Sequence, residues 1–237
     1  MHVFKHHHGN QDEHSAHQAH DAFINTPAWR YDLMVWFRFY GKEKKFRQMI
    51  IDLARLQPGE AVLDVGCGTG TLALIAKERV GKTGRACGVD PSASLLAGAR
   101  RKAARARLAL DFQSGGIEQI PFPDQSFDVV LSTFMLHHVP DDLKRQGLIE
   151  ITRVLKPEGR LLVVDFKHPG EHRAEHGQSG AEKIDLHNLA AYLKEVGFSD
   201  VESGEIPFHT RNSPAEHQNS GFVLARKSLA QEKGTRL

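Results

Sequence analysis

VLDVGCGTGT, Val62 to Thr71, is the stretch on which the fold turns. Val62, Leu63 and Val65 have the apolar character of a parallel strand buried on both faces. Gly66, Gly68 and Gly70 follow, and residues without Cβ suit a backbone that must take φ > 0 and bend around a ligand. From Leu72 onward the apolar residues have the texture of a helix packed on a sheet. Such a strand, tight loop and helix direct the helix's first N–H groups at whatever the loop holds. The dinucleotide fingerprint Gly-x-Gly-x-x-Gly requires a glycine where this chain has Thr71, so the spacing argues against a nicotinamide or flavin site. Asp64, just before the turn, would repel a pyrophosphate and suits a ligand with an ammonium group.

Downstream, ACGVD, Ala86 to Asp90, reads as a second strand ending in an acid. Ligands of doubly wound sheets lie outside the carboxyl ends of the strands, where such an acid accepts hydrogen bonds from both ribose hydroxyls. Asp64 and Asp90 together therefore predict a nucleoside with a cationic end.

The resemblance carried by these residues is to the class I S-adenosylmethionine-dependent methyltransferases, and within them to the branch of ubiquinone and menaquinone biosynthesis. It runs from about Tyr31 to Lys227. VLDVGCGTG is similar to the family's first motif and GVDPSASLLAGAR, Gly88 to Arg100, to its second. IPFPDQSFDVVLSTFMLHHV, Ile120 to Val139, resembles the run into strand four, and RVLKPEGRLLVVDFKHP, Arg153 to Pro169, resembles the helix and strand five. The resemblance implies an α/β, Rossmann-like sheet of seven mostly parallel strands with helices on both faces. Its last strand is antiparallel, and GFVLARK, Gly221 to Lys227, matches it. It also implies S-adenosylmethionine as cofactor and S-adenosylhomocysteine as product. Asp90 then meets the ribose, Leu95 the adenine and Asp64 the amino-acid end. Cys67 in the loop, Pro91 after the acid and Thr133 at the end of strand four join the expected cofactor contacts.

Two departures bear on the site. Many relatives have an acid before the Pro-Phe turn that meets the adenine amino group, and here alignment on Pro121 and Phe122 puts Gly116 there. Ile117 then offers its backbone N–H and an apolar face, while Glu118 either supplies the missing acceptor or is a solvated glutamate. Where the quinone enzymes have arginine and asparagine after strand four, this chain has His137 and His138.

Composition agrees with one catalytic domain. The chain has 237 residues, 40% hydrophobic and 25% charged, with a formal charge of +2. That balance predicts no nucleic-acid partner, and the basic run Arg100, Arg101, Lys102, Arg105 and Arg107 reads as a solvated helix face. Cys67 and Cys87 form no zinc spacing and no disulfide framework, so a cytoplasmic protein is expected. Nothing approaches the ~18 uninterrupted apolar residues of a membrane span.

The expected organisation is a flexible His-rich segment over residues 1–25, helices over 26–57, the methyltransferase domain over 58–228 and a tail over 229–237. Trp29, Tyr31, Leu33, Met34, Trp36, Phe37 and Phe39 precede the amphipathic run Phe46, Met49, Ile50, Leu53 and Leu56, which reads as two helices hinged near Gly41. The first is too aromatic for water and either packs as plain core or covers the cofactor cleft as a lid; the lid is favoured because the resemblance puts Tyr31 and Asp32 near the methionine end. His168, His172 and His176 recur at intervals of four in a segment whose Pro169, Gly170, Gly177 and Gly180 favour a substrate-facing loop. No metal site is expected.

S-adenosylmethionine carries an electrophilic methyl carbon, so orientation supplies most of the catalysis and a general base adds to it. The candidate bases are His138 and His137 beyond strand four and His168 beyond strand five. The reading is methyl transfer to a small lipophilic or aromatic acceptor, by a monomer or homodimer, onto O, N or C. A non-catalytic cofactor sensor and a metal-binding protein using the histidines are the alternatives.

Overall fold

The computed structural model describes residues 26–39, 41–167, 186, 188–206 and 220–229. Two helices come first, α1 (Ala28–Arg38) and α2 (Glu43–Leu53). Strand and helix then alternate through β1 (Ala61–Val65), α3 (Thr71–Val80), β2 (Arg85–Asp90), α4 (Ala93–Ala106), β3 (Asp111–Ser114) and β4 (Phe127–Thr133). A single turn of 3₁₀ helix, Leu136–His138, leads to α5 (Asp141–Val154), β5 (Leu155–Phe166), α6 (Leu189–Glu195), β6 (Phe198–Glu205) and β7 (Ser220–Lys227).

The strands form one seven-stranded sheet in the order β3-β2-β1-β4-β5-β7-β6. β1 pairs in parallel with β2 on one side and β4 on the other, so the chain reverses its direction of winding there. That reversal opens a crevice at the carboxyl ends of β1 and β4, the place where such sheets bind ligands. β7 runs antiparallel between β5 and β6, as the sequence leads one to expect.

Alternation along the strands divides the core. Leu63, Val65, Val130, Leu161 and Val163 pack with Leu148, Ile151 and Val154 of α5. Val62, Val129, Leu131, Leu162 and Val164 pack on the other face with Phe46, Ile50 and Ile51 of α2 and Leu72, Ala76 and Val80 of α3. Asp64 shares the Val62 face, the one that α2 covers.

The hinge falls where expected, at Gly41, with φ +73° and the Trp36 indole beside it. The first helix differs from expectation. It buries Ala28 and Val35 and leaves Trp29, Leu33, Met34, Trp36 and Phe37 exposed. Gly197 at φ +98° turns directly from α6 into β6, so the strand begins at Phe198.

Ile50 is fully buried and fixes α2 on the sheet. Ile50→Ala should lower the unfolding free energy by ~2–5 kcal/mol, read as a reduced urea midpoint at unchanged m-value.

Candidate active site

The loop after β1 is stitched to β2. Gly66 and Cys67 both donate to the Val89 carbonyl, and Gly68 donates to Asp90 Oδ2 at 2.8 Å. Gly66, Gly68 and Gly70 all have positive φ, and Gly70 at +74° caps α3. Side chains also close on them: a Cβ on Gly66 would strike Met135, and one on Gly68 would lie 3.2 Å from the Tyr31 hydroxyl. Cys67 is buried, and burial, with Asp64 and Asp90 adding to it, holds its thiol well above the ordinary range. It is packing in the loop rather than a nucleophile.

At the end of β2, Asp90 Oδ1 accepts from Ser92 N at 2.9 Å, and Ser92 caps α4 by accepting from Leu95 N. Two main-chain donors thus fix the carboxylate plane, with Pro91 exposed between them and Leu95 buried behind.

Asp64 lies 2% exposed at the end of β1, and its Oδ1 has no hydrogen-bond partner among the described residues. Burial is the main cause that pushes its carboxyl up to about 7, the Asp90 charge adds to it, and Arg47 pulls the other way. Arg47 comes from α2, where it reaches Glu43 at 3.4 Å and Thr133 Oγ1 at 3.3 Å. A buried acceptor lacking a donor is what an ammonium group would satisfy.

A second cluster ties α1 to the loop. Lys102 Nζ donates to Asp32 at 2.8 Å, Thr69 at 2.8 Å and Thr71 at 3.0 Å, and Thr69 donates to Asp32 at 2.6 Å. Lys102 therefore leaves the solvated face expected of the basic run, while Arg101, Arg105 and Arg107 remain exposed. Tyr31, one residue before Asp32, is raised above its ordinary pKa chiefly by burial and stays a phenol donor.

Beyond β3 the Glu118 carboxylate folds back over Gly116, into the space that a side chain on residue 116 would enter. A carboxylate therefore lies beside Gly116, contributed from two residues on. The Ile117 side chain belongs to the core, where a Cβ on Gly147 would strike it. A cavity of about 860 Å³ runs along this loop, lined by Ser114, Glu118, Gln146, Glu150 and Arg153 among others. Neither Asp64 nor Asp90 borders it.

On the other side of the crevice Asp165, buried at the end of β5, grips His137. Its Oδ1 lies 2.7 Å from His137 Nδ1 and its Oδ2 accepts from His137 N at 3.1 Å. A carboxylate at Nδ1 selects the Nδ1–H tautomer and makes Nε2 the basic nitrogen. The His137 ring lies 3.9 Å from that of the exposed His138 and 4.9 Å from Phe166. Phe46, Phe134 and Phe166 continue the aromatic wall at 5.8 and 5.1 Å between successive centroids. Phe134 has φ +52°, an uncommon conformation for a bulky residue and one that collects at functional sites. His168, His172, His176 and the histidines of residues 1–25 lie outside the described residues. Among the described residues no cluster could hold a metal ion.

Sequence reasoning did not single out Arg47, Lys102 or Asp165. Arg47 stands beside Phe46 on an apolar stripe, the kind of charge that needs a buried partner. Asp165 ends an apolar strand just as Asp64 and Asp90 do, and that parallel was the available signal.

A family model described as a methyltransferase domain matches residues 62–159. The ubiquinone/menaquinone biosynthesis C-methyltransferase UbiE of Enterobacter sp. (strain 638) is 31% identical over 208 residues, 76% of this chain and 82% of that enzyme. A demethylmenaquinone methyltransferase of Thermus thermophilus is 38% identical over 59% of this chain and 62% of its own length. Apart from the Enterobacter enzyme, the chain spans about half to three-fifths of the curated relatives it matches. Among solved structures, an S-adenosylmethionine-dependent methyltransferase from Aquifex aeolicus superposes with a TM-score of 0.61 at 22% identity, covering 76% of this chain and 89% of that one. The [4+2]-cyclase SpnF gives 0.63 at 22% identity over 78% of this chain and 81% of its own. At that identity both speak for the fold alone.

Folding raises Asp64 from 3.8 to about 7, so within that window the folded protein keeps a proton that the unfolded chain releases. Stability of the ligand-free protein should therefore fall as pH rises from about 4 to about 7. Asp64→Asn should remove that contribution and flatten the decline, measured as urea midpoints across the range.

Proposed function

Because this chain belongs to the class I S-adenosylmethionine-dependent methyltransferases, we propose that it methylates a planar, lipophilic or aromatic small molecule, with His137 as the base. The observation that carries this reading is the Asp165–His137 pair, set into an aromatic wall at the strand ends that also bear the glycine loop.

When bound, S-adenosylmethionine supplies a sulfonium-activated methyl carbon and leaves as S-adenosylhomocysteine. The residues fit that group. Asp64 takes the ammonium group on its buried Oδ1, and Arg47, held against Thr133, takes the adjacent carboxylate. Asp90, oriented by the N–H groups of Gly68 and Ser92, accepts from the ribose hydroxyls. Gly66, Cys67, Gly68 and Gly70 shape the loop around the chain between them. Leu95 and Pro91 flank the adenine, Ile117 offers its N–H, and Glu118 accepts from the amino group across Gly116. Tyr31 covers the methionine end from the lid.

His137 Nε2 takes the proton that an acceptor O–H or acidic C–H loses as its bond to the methyl carbon forms. Asp165 holds the ring in the right tautomer and stabilises the imidazolium. The Phe134 and Phe166 rings select a flat apolar partner. The relatives' names point to the same class, a quinone with carbon as the target. His137 and His138 stand where the quinone enzymes have arginine and asparagine.

Calorimetry should give micromolar binding of S-adenosylmethionine and S-adenosylhomocysteine. Asp90→Ala should weaken both by about 10- to 100-fold, the worth of hydrogen bonds to a charged group. No heat from intact, folded protein would refute the cofactor assignment. His137→Gln should keep cofactor affinity and cut turnover of an aromatic acceptor by ~10²- to 10⁴-fold. Unchanged turnover removes His137 as the base, and binding with no product from any acceptor returns the protein to a sensor.

A further inference from the structure

α1 is apolar on both faces, and only one face is covered. Ala28, Val35 and the following Phe39 face the protein, and Tyr31 and Asp32 reach the glycine loop. At 100° per residue Trp29, Leu33, Trp36 and Phe37 share the opposite side, with Met34 at its border. These five are 47–68% exposed and make up five of the seven large hydrophobic residues so exposed among the described residues. A helix that packs one apolar side on the protein and leaves a second, aromatic side uncovered presents the kind of apolar patch that marks an interaction surface.

The charges around that face indicate what covers it. Arg30 on α1 and Lys42, Lys44 and Lys45 just beyond Gly41 are exposed. The acids of the same segment are engaged, Asp32 with Lys102 and Glu43 with Arg47. α1 packs on α4 where Ala28 meets Gly98, and on α4 Arg101 and Arg105 are exposed beside Lys102. Tryptophan and phenylalanine on one side of a short helix with cations around it are the composition of an element lying in a bilayer interface. Among the described residues no helix is long and apolar enough to cross a membrane, so the contact is with the surface.

We propose that α1 docks this protein on the surface of an anionic lipid bilayer. Trp29, Leu33, Trp36 and Phe37 enter the headgroup region, and Arg30, Lys42, Lys44 and Lys45 pair with lipid phosphates. The inner side of the same helix carries Tyr31 and Asp32, so docking sets the cofactor crevice against the membrane, where a lipophilic acceptor concentrates. The surface contact itself is independent of the acceptor and of catalysis.

The test exploits the tryptophans, since the chain has two and both lie on this face. Full-length protein, with no cofactor or acceptor, is titrated with vesicles of phosphatidylglycerol and phosphatidylcholine and, separately, of phosphatidylcholine alone. The mixed vesicles should shift the emission to the blue, and bromine-labelled acyl chains should quench it. Leu33→Glu/Phe37→Glu, which keeps both reporters, should weaken vesicle binding by at least about tenfold. Lys44→Glu/Lys45→Glu should weaken binding to the anionic vesicles by about tenfold or more. Circular dichroism and melting confirm that the variants fold.

No shift with either vesicle overturns the proposal and leaves the face to a protein partner. An equal response to neutral vesicles overturns the anionic surface. Emission already blue without lipid overturns it too: growth with protein concentration assigns the face to a second copy, and no such growth assigns it to another segment of this chain. Failure of methyl transfer with vesicle binding intact sinks only the enzymatic reading.

Discussion

One carboxylate, Asp90, joins the two halves of the cofactor side. It accepts from Gly68 in the loop after β1 and from Ser92 at the start of α4, so a single planar group fixes both. The glycine loop can then be tight without being rigid by itself. Its turns at Gly66 and Gly68 are permitted by the missing Cβ, and their direction is set by bonds to β2. An ionised carboxylate accepts in about four directions, so holding the main chain and meeting a diol are compatible roles for the same oxygens. Substitution of Asp90 therefore acts on the loop's architecture, whereas Asp64 bears on stability through its own burial.

That contrast is electrostatic. Asp64 sits on the sheet face covered by α2, away from water, where an ionised carboxylate is costly. Arg47 offsets part of that cost from a distance, and it is itself held by Glu43 and Thr133. The pair makes a dipolar cradle, negative from β1 and positive from α2, matching an amino acid's own ammonium and carboxylate.

The architecture was legible because its signals are local. VLDVGCGTGT contains the strand, the turn and the helix start in ten residues, and Asp90 ends its own strand. The elements that lie across the crevice were less legible. Arg47 meets Thr133 over a sequence separation of 86, and Asp165 meets His137 over 28, so no short motif records either pair. Lys102 was hidden differently, in a run of like charges whose other members face water. That Glu118 folds back toward Gly116 depended on a side-chain direction that only coordinates supply.

The aromatic first helix joins these observations. Its composition predicts a cover over the cleft, and on this helix Tyr31 lies against Gly68 and Asp32 accepts from Thr69. Covering a cleft requires one face, however, and this helix is apolar on two. The interior claims Ala28, Val35, Phe39 and Tyr31, and Trp29, Trp36 and Phe37 point the other way. A lid needing only to exclude water would carry polar residues on that outer side. The outer face thus answers to a second apolar surface, and the Lys102 cluster couples that surface mechanically to the loop that holds the cofactor.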